Sequence, residues 1–227
     1  KDSTVDTLHG HKIADPYRWL ENDRSKETEE WVKQQNKVTH DYLTQMPLKS
    51  ILRQDIEGVW NYAKMSTPIL VGSAETGRLF YTYNKGLENQ SKLYTRSVSE
   101  SHQDAKVVLD PNTLSDKGTA ALKLFKPNKS GHFVAYQIAA SGSDWVEVKV
   151  RDVRSGHDLK DHLKWIKFSG LSWDQEGKGF YYSRYAAPKG SQLTGVNEYQ
   201  MLYYHRLGDT QDLDTLIYAR ADHKDWG

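Results

Sequence analysis

The residues able to do chemistry in this chain are serines, histidines and carboxylates, and their spacing decides which chemistry is open to them. There is no cysteine, which removes disulfides, zinc–thiolate sites and thiol nucleophiles. A serine nucleophile on a strand-to-helix elbow needs Gly-x-Ser-x-Gly, and no such run occurs; Gly142-Ser143 and Gly190-Ser191 place glycine directly before serine, at the wrong spacing. Gly177-Lys178-Gly179 lacks the rest of a phosphate-binding loop and reads as a turn. His9-Gly10-His11 offers two imidazoles but no carboxylate or third histidine at a set spacing, so it reads as a surface turn and no metal or other cofactor is expected. Asn89-Gln90-Ser91 and Asn128-Lys129-Ser130 are formal glycosylation acceptors, a pattern common by chance.

Two short stretches remain. Ser141-Gly142-Ser143-Asp144-Trp145 sets two small residues and a carboxylate ahead of a tryptophan at a strand start. It reads either as a turn in which Asp144 bonds nearby amides or as a rim loop facing a ligand or another domain. Trp165-Ile166-Lys167-Phe168 follows, and from the residues alone Phe168 is favoured as core over pocket wall.

The elements that must position these groups fall into two regions, 1–67 and 68–227. Residues 1–65 read as helical. Ser25 caps a helix with Glu27, Glu29 and Glu30 in its first turn, where the macrodipole favours them. Trp31, Val38, Tyr42 and Leu43 keep helical spacing, Pro47 ends the run, and a second short helix spans Ile51 to Trp60. From Pro68 the pattern is of strands: RLFYTY, KLYTRSV, KVVLD, HFVAYQI, VEVKVRDV and LYYHRL are aromatic and β-branched, bounded by turn residues. Three lines align as a glycine feeding an aromatic strand, at Gly77, Gly131 and Gly177, 54 and 46 residues apart. That is the period of a propeller blade, and the region holds about three, with Phe80, Phe133 and Phe180 expected in equivalent places. Since a ring needs at least four blades, the chain reads as a mainly β, incomplete propeller; a closed sandwich of the same strands is the alternative.

Composition agrees. The 227 residues carry 31 Lys and Arg against 30 Asp and Glu, so no charge excess draws nucleic acid or an anionic membrane. No apolar run approaches the ~20 residues of a membrane helix, and the first residues do not read as a signal peptide. The absence of cysteine suits a cytoplasmic location, or a periplasmic one if a signal peptide was removed.

Several long segments, in order, carry a resemblance: "HGHKIADPYRWLEN", "WVKQQNKVT", "YNKGLENQSKLY", "VLDPNTLSDKGTAAL", "AYQIAASGSDWVEV", "WIKFSGLSWDQEGKGFYYSRY" and "LYYHRLG". From about Leu8 onward the chain resembles the N-terminal part of the prolyl oligopeptidase family; GLENQ and SGSDW set it with the prolyl-specific branch. The resemblance implies a monomeric serine peptidase that cuts short peptides after proline. An α/β-hydrolase domain, mostly absent from this chain and encoded downstream, would carry the catalytic triad, and a seven-bladed propeller would gate entry. Residues 1–67 would be the arm that packs on the hydrolase domain, with Tyr17 and Trp19 as contacts. No catalytic residue carries over, so the chain alone is expected to be inactive. Phe168 would line the pocket beside the substrate's proline, Asp144 would lie near the inter-domain face, and 187–200 would be a mobile loop affecting access. A propeller-like binding module without catalysis is the competing function.

Overall fold

The computed structural model describes residues 1–188 and 196–226. The chain divides into two compact units, one containing Lys1–Val59, the other containing Trp60–Pro188 and Asn197 onward.

The first unit opens with a hairpin, where a helix is expected from the sequence reading. Strands β1 (Val5–Leu8) and β2 (His11–Ala14) pair antiparallel through a two-residue turn at His9-Gly10, with φ of 52° and 84°. Positive φ at both central residues is the hairpin turn whose twist matches paired strands, which explains why alternation wins over helix here. "DPYRWLEN" then makes one 3-10 turn, Arg18–Glu21. It is tied back to the N-terminus: the Asp2 amide donates to the Pro16 carbonyl at 3.0 Å, and Arg18 pairs with Asp6 and Asp15. Trp19 sets its edge against Trp31, centroids 6.2 Å apart, and the Thr28 hydroxyl donates to the Trp19 carbonyl. Helix α1 (Lys26–Thr44) begins where Ser25 predicts: the Ser25 hydroxyl accepts from the Thr28 amide at 3.0 Å. Helix α2 (Lys49–Trp60) follows Pro47. Both helices leave apolar side chains in the open, including Val38, Tyr42, Leu48, Ile51, Leu52 and Ile56. No helix among the described residues is long and apolar enough to cross a membrane.

The second unit is three antiparallel sheets, each built from consecutive strands. The first holds β3 (Lys64–Met65), β4 (Ile69–Val71), β5 (Arg78–Asn84), β6 (Lys92–Ser97) and β7 (Lys106–Leu109). Strands β3 and β4 lie along the same edge of β5, Lys64 opposite Asn84 and Ile69 opposite Phe80, with Pro68 in the gap between them. The second holds β8 (Ala120–Pro127), β9 (Phe133–Ala140), β10 (Val146–Asp152) and β11 (Asp158–Ile166); the third holds β12 (Leu171–Trp173), β13 (Gly179–Arg184), β14 (Met201–Arg206) and β15 (Thr215–Tyr218). Each is one blade of a partial propeller, and among the described residues no strand is shared between sheets.

The core sits in the seams between blades. Phe80, Leu93, Leu109, Val134 and Tyr136 fill the first; Val148, Val150, Leu163, Ile166, Phe180 and Tyr182 fill the second. Burying each large side chain is worth about 1.5–3 kcal/mol. Polar groups stitch the same seams: Arg151 Nη1 donates to the Val108 carbonyl at 2.8 Å, and Trp173 Nε1 to the Lys126 carbonyl at 2.8 Å. The repeat is real but one residue of it is misplaced. Val134, fully buried, holds the place of Phe80 and Phe180, while Phe133 is one position early and only half-buried. The three glycines also differ in role. Gly131 and Gly177 take left-handed φ of 69°, whereas a Cβ on Gly77 would sit 2.3 Å from the Ser73 carbonyl oxygen and 2.6 Å from that of Val71.

Candidate functional site

Backbone strain marks out a candidate site. Five non-glycine residues among those described have positive φ: His9, Ser141, Trp165, Phe168 and Tyr199. His9 is accounted for by its hairpin. Ser141 and Phe168 lie on the loops that follow β9 and β11 at one rim of the second blade, and Trp165 is the penultimate residue of β11. Left-handed backbone is costly for bulky residues and persists only where the surroundings over-determine it, as they do at ligand-contacting sites.

The β9–β10 loop turns on Ser141 and Gly142, closed by the Ser143 amide donating to the Ala140 carbonyl at 3.0 Å. The Trp145 amide donates to the Ser143 hydroxyl at 3.0 Å, the role the turn reading gives to Asp144. Asp144 is released from that duty. Its carboxylate lies 3.8 Å from Lys167 Nζ, with its own side chain 67% exposed. Lys167 Nζ also stands 5.4 Å from the Trp145 ring centroid and 5.3 Å from that of Phe168. Trp145 in turn meets the edges of Trp165 and Tyr185, at 6.2 and 6.0 Å. The structure therefore brings Asp144 and Phe168 into one cluster, through a lysine that the sequence reading names only as part of a tetrapeptide. Its signal was available in that W-I-K-F spacing, but nothing in sequence says that the lysine folds back over its neighbour's ring.

Phe168 corrects the core assignment drawn from the residues alone: it is 75% exposed. The strand ends at Ile166, so the alternation that would have turned residue 168 inward stops two residues short. Its backbone is nonetheless pinned on both sides. Gln200 Nε2 donates to the Lys167 carbonyl and Gln137 Nε2 to the Ser169 carbonyl, both at 2.8 Å. The Ser183 amide donates to the Ser169 hydroxyl at 2.8 Å. The ring is thus exposed on a segment held by three hydrogen bonds. Of the loop 187–200, residues 189–195 lie outside the described residues.

A second constellation looks catalytic but is sealed. His205 accepts or donates at both ring nitrogens, Nδ1 to Asp214 at 2.6 Å and Nε2 to Asp161 at 2.9 Å, all three side chains 1% exposed or less. Burial pushes the imidazole down, but the two carboxylates outweigh it and raise it to about 9. Tyr182 donates to the other oxygen of Asp214, and burial with that carboxylate holds its phenol well above the usual range. This buried network joins the second and third blades. Among the described residues no group of three or more His, Asp or Glu could hold a metal ion.

Comparison with known proteins is consistent with this architecture. The family described as "Prolyl oligopeptidase, N-terminal beta-propeller domain" matches residues 1–227. The chain is 41% identical over 219 residues to a prolyl endopeptidase of Elizabethkingia miricola, covering 96% of this chain and 30% of that one. It is 42% identical over 221 residues to a prolyl endopeptidase of Elizabethkingia meningoseptica, with the same coverage of 96% and 30%. Among solved structures, one from a study of two prolyl endopeptidases and the role of inter-domain dynamics superposes with a TM-score of 0.83 at 31% identity, covering 97% of this chain and 32% of that one. Prolyl oligopeptidase B of Galerina marginata, bound to a 35-residue hydrolysis and macrocyclization substrate, gives 0.78 at 30% identity, covering 99% and 34%. The chain thus spans about a third of the length of the relatives it matches.

Proposed function

We propose, for a chain that belongs to the prolyl oligopeptidase N-terminal β-propeller family, that it is the N-terminal part of a serine peptidase hydrolysing short peptides on the carboxyl side of proline. The observation that carries the proposal is the match to two prolyl endopeptidases at 41% and 42% identity over 96% of the chain, with 30% of each relative covered. The triad and its oxyanion hole would be supplied by an α/β-hydrolase domain encoded downstream, by acyl-enzyme chemistry.

Each unit has a part in this reading. The exposed apolar faces of α1 and α2, with a cavity of about 480 Å³ lined by Met46, Leu48, Leu52 and Ile56, suit an arm spanning 1–67 that docks on the hydrolase domain. The propeller limits entry to short peptides. On its rim, Phe168 packs against the residue two places before the substrate's proline, and Asp144 lies toward the inter-domain face. Ring packing at Phe168 selects by size and apolarity, since it offers no hydrogen bond.

The test compares the chain with the complete protein. A chromogenic peptide with proline before the leaving group is turned over by the complete protein and not by the 227-residue chain, and a serine-directed phosphonate stops the reaction. Phosphonate-sensitive turnover by the chain alone, or none by the complete protein, overturns the reading.

A further inference from the structure

Three features meet at Lys167. The first is that its side chain is only 13% exposed although its neighbour Phe168 is 75% exposed. The second is direction. In an extended strand, residues 167 and 168 would point to opposite faces; the left-handed φ of 54° at Phe168 sets ring and ammonium on one side. The third is that one ammonium serves three partners at once, the rings of Trp145 and Phe168 at 5.4 and 5.3 Å and the Asp144 carboxylate at 3.8 Å. The pins described above, from Gln200, Gln137 and Ser183, hold the backbone of 167–169 but do not touch the Phe168 ring.

We propose that Lys167 is the positioning residue of this rim, holding the Phe168 ring in its outward pose and fixing the Asp144 carboxylate beside it. Attraction between a cation and ring faces within about 6 Å acts on the ring directly, and the covered stem of the lysine keeps the cation from leaving. Asp144 completes the arrangement by holding the ammonium between the two rings. Lys167 thereby sets the preference for an apolar residue over a small one at the place Phe168 contacts, a role that rests on the reading of Phe168 given above.

Two measurements test the two halves separately. The 227-residue chain, with five phenylalanines, is labelled with 4-fluorophenylalanine, and the Phe168 resonance is identified by its loss in Phe168→Leu. In Lys167→Met that resonance moves toward the value of the free amino acid and narrows; in Lys167→Arg it stays in place. An unmoved resonance in Lys167→Met overturns the positioning role, and Lys167→Gln replaces the methionine variant should the latter fail to fold. In the complete protein, Lys167→Met raises KM about fivefold for a prolyl peptide with a bulky apolar group two places before proline. It leaves kcat unchanged, leaves the glycine-containing peptide unaffected, and is rescued by Lys167→Arg. Equal losses for both peptides, or a loss in kcat alone, overturn the specificity role. A complete protein that cleaves no prolyl peptide defeats the peptidase reading, while the fluorine result still decides whether Lys167 positions the ring.

Discussion

The buried histidine between the second and third blades should make the chain's stability fall with rising pH. His205 has a carboxylate at each ring nitrogen, Asp214 at 2.6 Å and Asp161 at 2.9 Å, so both nitrogens must carry protons for both bonds to be made. Desolvation opposes the charge, yet the paired carboxylates prevail and raise the group from 6.5 to about 9. The sign follows. Below pH 6.5 the imidazole is protonated both folded and unfolded, and its contribution is fully present. Between 6.5 and about 9 only the folded state holds the proton, so stability declines; above about 9 the contribution is lost. At 1.36 kcal/mol per unit, the whole effect is about 3 kcal/mol. The assay is urea unfolding of the chain and of His205→Gln at pH 6, 7.5 and 9.5. The variant's deficit should be large at pH 6 and shrink by about 3 kcal/mol by pH 9.5. Arg151→Gln serves as control: it cuts the bond from Arg151 to Val108 across the first seam, and arginine does not titrate in this range, so its deficit should be flat. Parallel pH profiles for the chain and His205→Gln would show that the imidazole is not held as a cation, and would refute the argument.

Other outcomes follow from single contacts. In the complete protein, Phe168→Ala should weaken binding of peptides with a bulky group two places before proline by about 1–2 kcal/mol, with the melting temperature hardly moved because the ring is 75% exposed; a large melting shift would return it to a core role. Gly77→Ala should cost about 1–3 kcal/mol in denaturant unfolding, since the atoms its Cβ would strike, the Ser73 and Val71 carbonyl oxygens, are backbone and cannot swing away. Thr95→Val should be neutral or stabilise by up to about 1 kcal/mol, because Thr95 Oγ1 is buried with no hydrogen-bond partner among the described residues; a clear loss in the same assay would reveal a partner for that hydroxyl.

Much of the scaffold was legible because its signals are local. Ser25 and Pro47 bracket α1 by capping and by ring geometry, which act within one helical turn. The aromatic strands β5, β9 and β13 announce themselves by composition. What escaped was one edge strand of each blade. β4 and β12 are three residues long, and in β8 lysines break up the apolar run, so these strands are defined by the partner they pair with more than by their own residues. The β1–β2 hairpin was hidden by a His-Gly turn in place of the more telling Asn-Gly. At the rim, Asp144 and Phe168 were picked out, but what joins them was not. Lys167 acts through a left-handed turn at the next residue, and for a non-glycine residue no sequence pattern announces that conformation.

The repeat runs deeper than its glycines. In the second blade, Arg151 on β10 stands opposite Val134; in the third, His205 on β14 stands opposite Phe180, and Val134 and Phe180 occupy the same place after their glycines. Each cation is held by an aspartate of its own blade, Asp158 at 2.7 Å and Asp214 at 2.6 Å. Each of those aspartates also takes the hydroxyl of the tyrosine five places after the glycine, Tyr136 at 2.8 Å and Tyr182 at 2.5 Å. Each cation then reaches into the blade before it, Arg151 to the Val108 carbonyl and His205 to Asp161. The glycine, tyrosine, cation and aspartate are therefore one device that both completes a blade and fastens it to its predecessor. In the first blade the residue opposite Phe80 is Thr95, and the position five after Gly77 is Thr82. The first blade therefore lacks this device, and among the described blades the clasp recurs only at the two seams, between the first and second and between the second and third. The same comparison separates the two seams chemically. An arginine clasp keeps its charge at every pH the folded chain can meet, whereas a histidine clasp depends on its two carboxylates to keep the proton, which is why alkaline pH should loosen the second seam and leave the first untouched.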